Sequence, residues 1–419
     1  MQFFALFGIP STVFTHKRTA ALIFALLGVI IFVSIQKGRT MAEMGGGDFA
    51  VFWWAGKNFL AGNDLYSNIG GAERYIYPPF AAMWFQLLGI NALQAAGTCW
   101  AFANFGFYAM SIVALRKIYL HFYEDTTTLK WAILAAAILS FRYFWYHQIY
   151  IQVNEVMFLL CLYGVLSYLQ GKETAAAAFF TVGAFIKVLP IFFLVWLVSK
   201  GSWRTIVKIG AVAAVCVALP MLFRGFEQGW LDHLRYYETF LEPFRQGRVE
   251  PEFRNYSLSS MLYNWCQPTQ NEPMGFSYRL FATTLTQTKM IYKIAALSLV
   301  GVWFGMLVWS RFVTKKPNFW EISYIFILMN LLSGICWEYH LLPIIFVFTP
   351  IIYTFLQKEN PIALAHRVFI IIIISLCAFL NIVGTDTVGT KGMHYIGGYG
   401  VLTLVWLALA GYCVWRYFR

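Results

Sequence analysis

One acidic side chain stands apart from the rest, Asp48. It follows Gly45-Gly46-Gly47 and opens an apolar, aromatic stretch, Phe49-Ala50-Val51-Phe52-Trp53-Trp54. Three glycines in a row let the backbone turn tightly. Phe49, Phe52, Trp53, Phe59 and Leu60 recur at helical spacing, and Gly62 is placed to stop the helix. Asp is a favoured N-cap. Asp48 is therefore expected to cap an interfacial helix whose aromatic side faces the membrane. Capping and chemistry are compatible, since a cap fixes the position of a carboxylate that also does chemistry.

Five further sites carry polar groups in or beside apolar surroundings. Tyr77 belongs to Tyr75-Ile76-Tyr77-Pro78-Pro79, where the proline pair starts a helix rigidly and tyrosines suit a membrane interface. Gln152 and Asn154 flank Val153 at the start of an apolar run, either as helix-end residues or as the lining of a cavity. Lys187 lies inside an apolar run beside Pro190. A lysine there is costly unless it faces protein, water or an anion, and a phosphate is one such anion. Arg254-Asn255-Tyr256-Ser257 precedes a short apolar stretch. Ser257 reads as a helix cap. Arg245, Arg248 and Arg254 read either as solvated charge or as a phosphate-gathering set, which guanidinium geometry suits. Glu338 and His340 sit where two spans meet, as packed interface residues or as phosphate ligands.

Several signatures are absent. The sequence has no DxD, GxxxxGK[ST], GxSxG or HExxH pattern, which argues against soluble nucleotide chemistry. It also lacks CxxC or Cys/His metal spacing, and six of its seven cysteines fall in or at the ends of apolar runs.

The elements that must hold these residues are membrane helices. The chain of 419 residues is 60% apolar, 19% aromatic and 12% charged, with a mean hydropathy of +0.63. Soluble proteins carry about 25% charged residues. Apolar runs of roughly 17–25 residues recur, long enough for a bilayer core, and the alternating segments of a β-barrel are missing. An all-α polytopic membrane protein is expected, with about twelve membrane segments in a single integral domain, 1–419. Two external loops are assigned, 37–78 and 224–287. The first apolar run, 19–36, lacks a small-residue cleavage site and is read as a retained helix. Residues 79–91 are read as a thin or re-entrant segment, and 174–199 as a run broken at Lys187-Val188-Leu189-Pro190. Later segments are placed at 289–311, 320–336, 339–356, 367–384 and 396–416. The net charge of +12 does not point to nucleic acid. Twelve basic residues, among them Lys17, Lys200, Arg311, Lys315, Lys358 and Arg416, fall in segments assigned to the cytoplasm and opposed by Glu359, whereas loop 224–287 is nearly neutral. That is the positive-inside pattern.

Asp48 after the first span, Gly62-Asn63-Asp64-Leu65-Tyr66, and then Tyr77-Pro78-Pro79 resemble the opening of glycosyltransferase family 87. Gln152-Val153-Asn154, Lys187 with Pro190, Asn255-x-Ser257-Leu258 and Tyr339-His340 are similar to later landmarks of that family, in the same order. The family consists of polyprenyl-phosphate-sugar-dependent enzymes of the GT-C superfamily, and includes a mycobacterial mannosyltransferase acting on phosphatidylinositol mannosides. The resemblance implies a GT-C fold with interfacial helices on two external loops. It implies a lipid-linked mannose or pentose donor and a lipid or glycan acceptor at the external face of the inner (plasma) membrane. Asp48 and His340 match its catalytic positions. Lys187, Arg254, Asn255, Ser257, Tyr77, Gln152, Asn154 and Glu338 are then the candidates for donor phosphate and substrate binding. A lipid phosphate leaves as a stable anion, so one base suffices where a glycosidase needs two carboxylates. With cationic side chains present, no metal or other cofactor is expected. A membrane transporter or lipid-linked sugar flippase is the competing class, since a broken helix with an intramembrane lysine also suits transport.

Overall fold

The computed structural model describes residues 17–67, 75–246, 249, 251–268, 275–314, 316–357 and 363–419. The lead before Lys17, together with Arg248, Lys315, Lys358 and Glu359, lies outside the described residues. All the regular elements described are helical. Five helices are long and apolar enough to cross a membrane: Phe24–Glu43, Leu93–Tyr119, Trp203–Arg224, Leu285–Thr314 and Leu364–Ile382. Thr385–Gly398 and Val401–Tyr417, bent by 44° at their junction, make a possible sixth. These helices present apolar side chains outward, as a lipid-facing surface requires; Leu222 is 78% exposed and Leu297 70%. The protein is thus a helical, membrane-embedded chain. Helix lengths support five or six full spans, fewer than the twelve segments expected. Other apolar runs break into helices of 10–17 residues, such as Asn154–Leu169, Glu173–Ile186, Ile191–Lys200, Phe319–Leu331 and Ile344–Leu356.

The chain divides into two compact units. The first takes the described residues up to His121, with Trp145–Ile191 and Trp203–Glu242. Here the Lys17–Glu43 helix ends in the glycine triplet, whose φ angles are +72°, +96° and +45° at Gly45, Gly46 and Gly47. Only glycine takes such a run without strain. The chain then enters the Gly47–Ala61 helix. Gly46 occupies the N-cap, and Asp48 stands inside the first turn, which corrects the expected cap. A second correction concerns the aromatic side of this helix. Phe49, Phe52, Trp53 and Phe59 are buried in protein, and of the expected apolar set only Leu60 is exposed. The cause is a backbone-to-backbone contact with the Pro79–Gly89 helix. A Cβ on Gly56 would lie 2.1 Å from the Phe85 carbonyl oxygen, and one on Gly89 would lie 2.5 Å from the Lys57 nitrogen. Trp53 Nε1–H donates to the Asn91 carbonyl at 2.9 Å across the same contact.

The far end of the Gly47–Ala61 helix is closed twice. Gly62, at φ +72°, donates its N–H to the Asn58 carbonyl. Arg224 donates to the carbonyls of Asn58, Phe59 and Asn63 at 3.0, 3.0 and 2.7 Å, and pairs with Asp232 at 2.6 Å. The last carbonyls of a helix have no partner within it, and a cation there also suits the helix dipole. The expected Tyr-Pro-Pro helix start is present: Pro79 opens the helix, Tyr66 donates to the Tyr77 carbonyl at 2.8 Å, and Tyr75 to the Pro78 carbonyl at 3.0 Å.

The second unit takes Phe122–Phe144, Phe192–Ser202 and Pro243–Arg419. Its centre is the Phe319–Leu331 helix, every residue of which is buried. Glu321 within it accepts from Trp196 Nε1–H at 2.9 Å and pairs with Lys200 at 2.8 Å. Arg142 closes the end of the Leu364–Ile382 helix by donating to the carbonyls of Leu380, Asn381 and Val383. The segment expected as one span over 339–356 begins differently. Glu338–Leu341 is a single 3-10 turn, and the Ile344–Leu356 helix starts only after Pro343.

Gly56→Ala is expected to lower the melting temperature in detergent, because the methyl group meets backbone. Gly106→Ala is the control. No atom lies within 4 Å of its added carbon, so it is expected to stabilise by about 0.5–1 kcal/mol. A Gly56→Ala protein as stable as the wild type would contradict the close approach.

Candidate active site

Five of the sequence candidates, Asp48, Tyr77, Gln152, Asn154 and Lys187, converge in the first unit around one turn, residues 150–153. Gln152 Nε2 donates to Asp48 Oδ2 at 3.0 Å. Two residues on, Asn154 Oδ1 accepts from Lys187 Nζ at 2.8 Å. The Lys187 ammonium lies 6.0 Å from the centre of the Tyr77 ring, close enough for a cation–π contact. The helix break expected at this lysine is present. The Glu173–Ile186 helix stops, Lys187 is extended at φ −148°, and the next helix begins at Ile191. Pro190 forces the interruption, which frees the lysine side chain to turn toward Asn154. A carboxylate and an ammonium are thus held through two amides of the same short segment.

This segment has supports that no local sequence signal marks. Ile151 has φ +46°, a left-handed conformation rare for a β-branched residue. The Gln152 carbonyl accepts from Trp100 Nε1 at 3.0 Å and Asn104 Nδ2 at 3.2 Å. His147 takes two bonds: its carbonyl accepts from Gln152 N–H at 3.1 Å, and its Nε2 from Glu155 N–H at 3.0 Å. Glu155 is fully buried in the first turn of the Asn154–Leu169 helix and accepts from Ser111 at 2.8 Å. The Trp100, Asn104 and Ser111 contacts span 44 or more residues, and the His147 contacts end on backbone N–H groups, so residue spacing alone does not reveal them.

The remaining candidates lie in the second unit. Ser257 caps the Leu258–Cys266 helix by accepting from Ser260 N–H, as expected. Asn255 is a brace: its Oδ1 accepts from Ser257 N–H and Cys336 N–H at 3.2 and 2.9 Å, and its Nδ2 donates to the Gly334 carbonyl at 3.1 Å. Arg254 lies over the Phe253 ring at 5.2 Å, and its Nε has no hydrogen-bond partner among the described residues. His340 Nδ1 accepts from Trp337 N–H at 2.9 Å. In the neutral ring this leaves the proton on Nε2. Glu338 accepts from the Tyr256 hydroxyl at 3.2 Å. Among the described residues, no three His, Cys, Asp or Glu side chains gather as a metal site would need.

Burial raises the Glu338 carboxyl above its ordinary range, against the opposing effects of its own backbone N–H, Arg254, Tyr256 and Arg142. A folded-state value above the unfolded one means that the folded protein holds the proton longer. Stability therefore falls as pH rises from the unfolded glutamate range to the folded value, and then levels off. Glu338→Gln is expected to flatten that fall and to raise the melting temperature near neutral pH. An unchanged profile would contradict the assignment.

No curated protein matches the chain. The sequence model of glycosyltransferase family 87 matches residues 75–334, well over half of the chain. The match takes in Tyr77, Gln152, Asn154, Lys187, Arg254, Asn255 and Ser257, and leaves Asp48, Glu338 and His340 outside it. A membrane-embedded helical chain carrying that match over its broken helix and its paired amides belongs to glycosyltransferase family 87 and is a glycosyltransferase.

Proposed function

We propose that this glycosyltransferase moves a sugar from a polyprenyl-phosphate donor to a hydroxyl group of a lipid or glycan acceptor. The sugar is mannose or a pentose, and the site faces the external side of the inner membrane. The observation that carries the reading is the pair of amides at 152 and 154, one bonded to Asp48 and the other to Lys187. Transfer from a lipid phosphate needs one base and one positive group, and this segment holds one of each. Membership of a glycosyltransferase family favours transfer over transport or lipid flipping.

In the proposed reaction the acceptor oxygen attacks the anomeric carbon, and its proton passes to Asp48. The bond from that carbon to the phosphate oxygen breaks, and its electron pair leaves on the lipid phosphate. Lys187 stabilises the growing charge. The Nδ2 of Asn154 is buried and without a hydrogen-bond partner among the described residues, on the same amide that holds Lys187. It adds a second donor for an anion. Tyr77 flanks the ammonium. A single displacement inverts the anomeric carbon, and with Lys187 in that role no metal is required. In the second unit, Arg254 and His340 are proposed to meet substrate charge. Asn255 and Ser257 hold the segment that carries Arg254, and Glu338 carries a place in substrate binding.

Asp48→Asn is expected to abolish transfer while leaving a folded protein that still binds the lipid donor. Normal turnover by this variant would remove the base. Lys187→Ala is expected to weaken donor binding, measured directly with labelled lipid-phosphate sugar, more than acceptor binding. An unchanged donor affinity would exclude the phosphate contact. Label that only changes leaflet, with no glycosylated product, would return the protein to the flippase class.

A further inference from the structure

Gln152 could reach Asp48 by chance rotamer or because its backbone is fixed for that purpose, and the contacts separate the two. The residue before it, Ile151, is fully buried and held at φ +46°. Such a conformation persists only where surrounding contacts over-determine it, and it concentrates at functional sites. Here the contacts fall on both backbone polar groups of the next residue, the C=O and the N–H of Gln152. Trp100 and Asn104, one turn apart on the Leu93–Tyr119 helix, both donate to the Gln152 carbonyl. His147 accepts from the Gln152 N–H through its carbonyl and from Glu155 N–H through its ring. The ring bond serves an N–H in the first turn of the Asn154–Leu169 helix, whose N-cap, Val153, supplies no side chain. The same residue therefore fixes both ends of the segment that carries Gln152 and Asn154.

We propose that Trp100, Asn104 and His147 are positioning residues, and that their joint task is to aim the Gln152 amide at Asp48. The inference rests on Asp48 being the base. An amide donor on one carboxylate oxygen orients the group and favours its ionised form, the form that accepts a proton. Removing a support lets the turn relax from the left-handed conformation, and the amide swings off the carboxylate. Trp100 and Asn104 bond the Gln152 carbonyl alone, so losing either acts on that amide and lowers turnover, while the Asn154–Lys187 bond at the start of the following helix stays in place.

Asn104→Leu keeps the volume and removes the donor. Its kcat is expected to fall about tenfold to a hundredfold, with the KM for the lipid donor within about twofold of wild type by the reading of uniform binding. The acid limb of its pH–kcat profile should move to higher pH, since Asp48 loses a bond to its charged form. A merely structural defect would lower active protein without moving that limb. The deciding comparison is with Gln152→Leu. Once the amide is gone, Asn104→Leu should add no further loss, so the double variant should match Gln152→Leu alone. Losses that multiply, or an Asn104→Leu protein with normal kcat, would overturn the positioning role while leaving Asp48 as base. An active Asp48→Asn protein would instead overturn the reading on which it rests.

Discussion

The account depends on two hydrogen bonds made from one short segment, Gln152 to Asp48 and Asn154 to Lys187. Each charged group has a neutral amide of that segment as a partner, and an amide fixes a charge in place without neutralising it. In the proposed reaction the carboxylate takes the acceptor's proton and the ammonium meets the departing phosphate.

Much of the first unit serves to fix the helix that carries Asp48. Glycine at 45–47 lets the chain reverse into it. Gly56 and Gly89 bring it into backbone contact with the Pro79–Gly89 helix. Arg224 binds its last carbonyls, and the buried Asp232 holds Arg224 in turn. Burying such an ion pair brings no large net stability. Its value lies in direction, since a guanidinium with this many carbonyl partners admits one orientation of the helix end. Arg142 performs the corresponding service for the Leu364–Ile382 helix in the second unit.

The legible parts of this structure were those set by local chemistry. Pro78 and Pro79 announced a helix start, Pro190 announced a break beside Lys187, and Ser257 announced a cap, and all three are found. Asp48 misled as a cap because the glycine before it takes the left-handed conformation and moves the helix start forward. The aromatic stripe of Phe49, Phe52 and Trp53 was recognised as a helix face but assigned to lipid. Helical period says which residues share a side, not what covers it, and the cover is a glycine contact 33 residues away. Trp100, Asn104 and Arg224 gave no signal because each acts on backbone groups distant in sequence, and His147 because its bonds to the nearby Gln152 and Glu155 N–H groups follow a left-handed turn that no local pattern marks. Helix lengths support five or six full spans where apolar runs suggested about twelve segments, for a related reason. Buried helices shorter than a bilayer are as apolar as those that cross it.

The central claim is that a single carboxylate and a departing lipid phosphate are enough for transfer. Its most direct test is the anomeric configuration of the product formed from a polyprenyl-phosphate sugar of known configuration, read by proton NMR. One base and one leaving group allow a single displacement, so the account predicts inversion. A product that keeps the donor's configuration would exclude a single in-line displacement, and would contradict it.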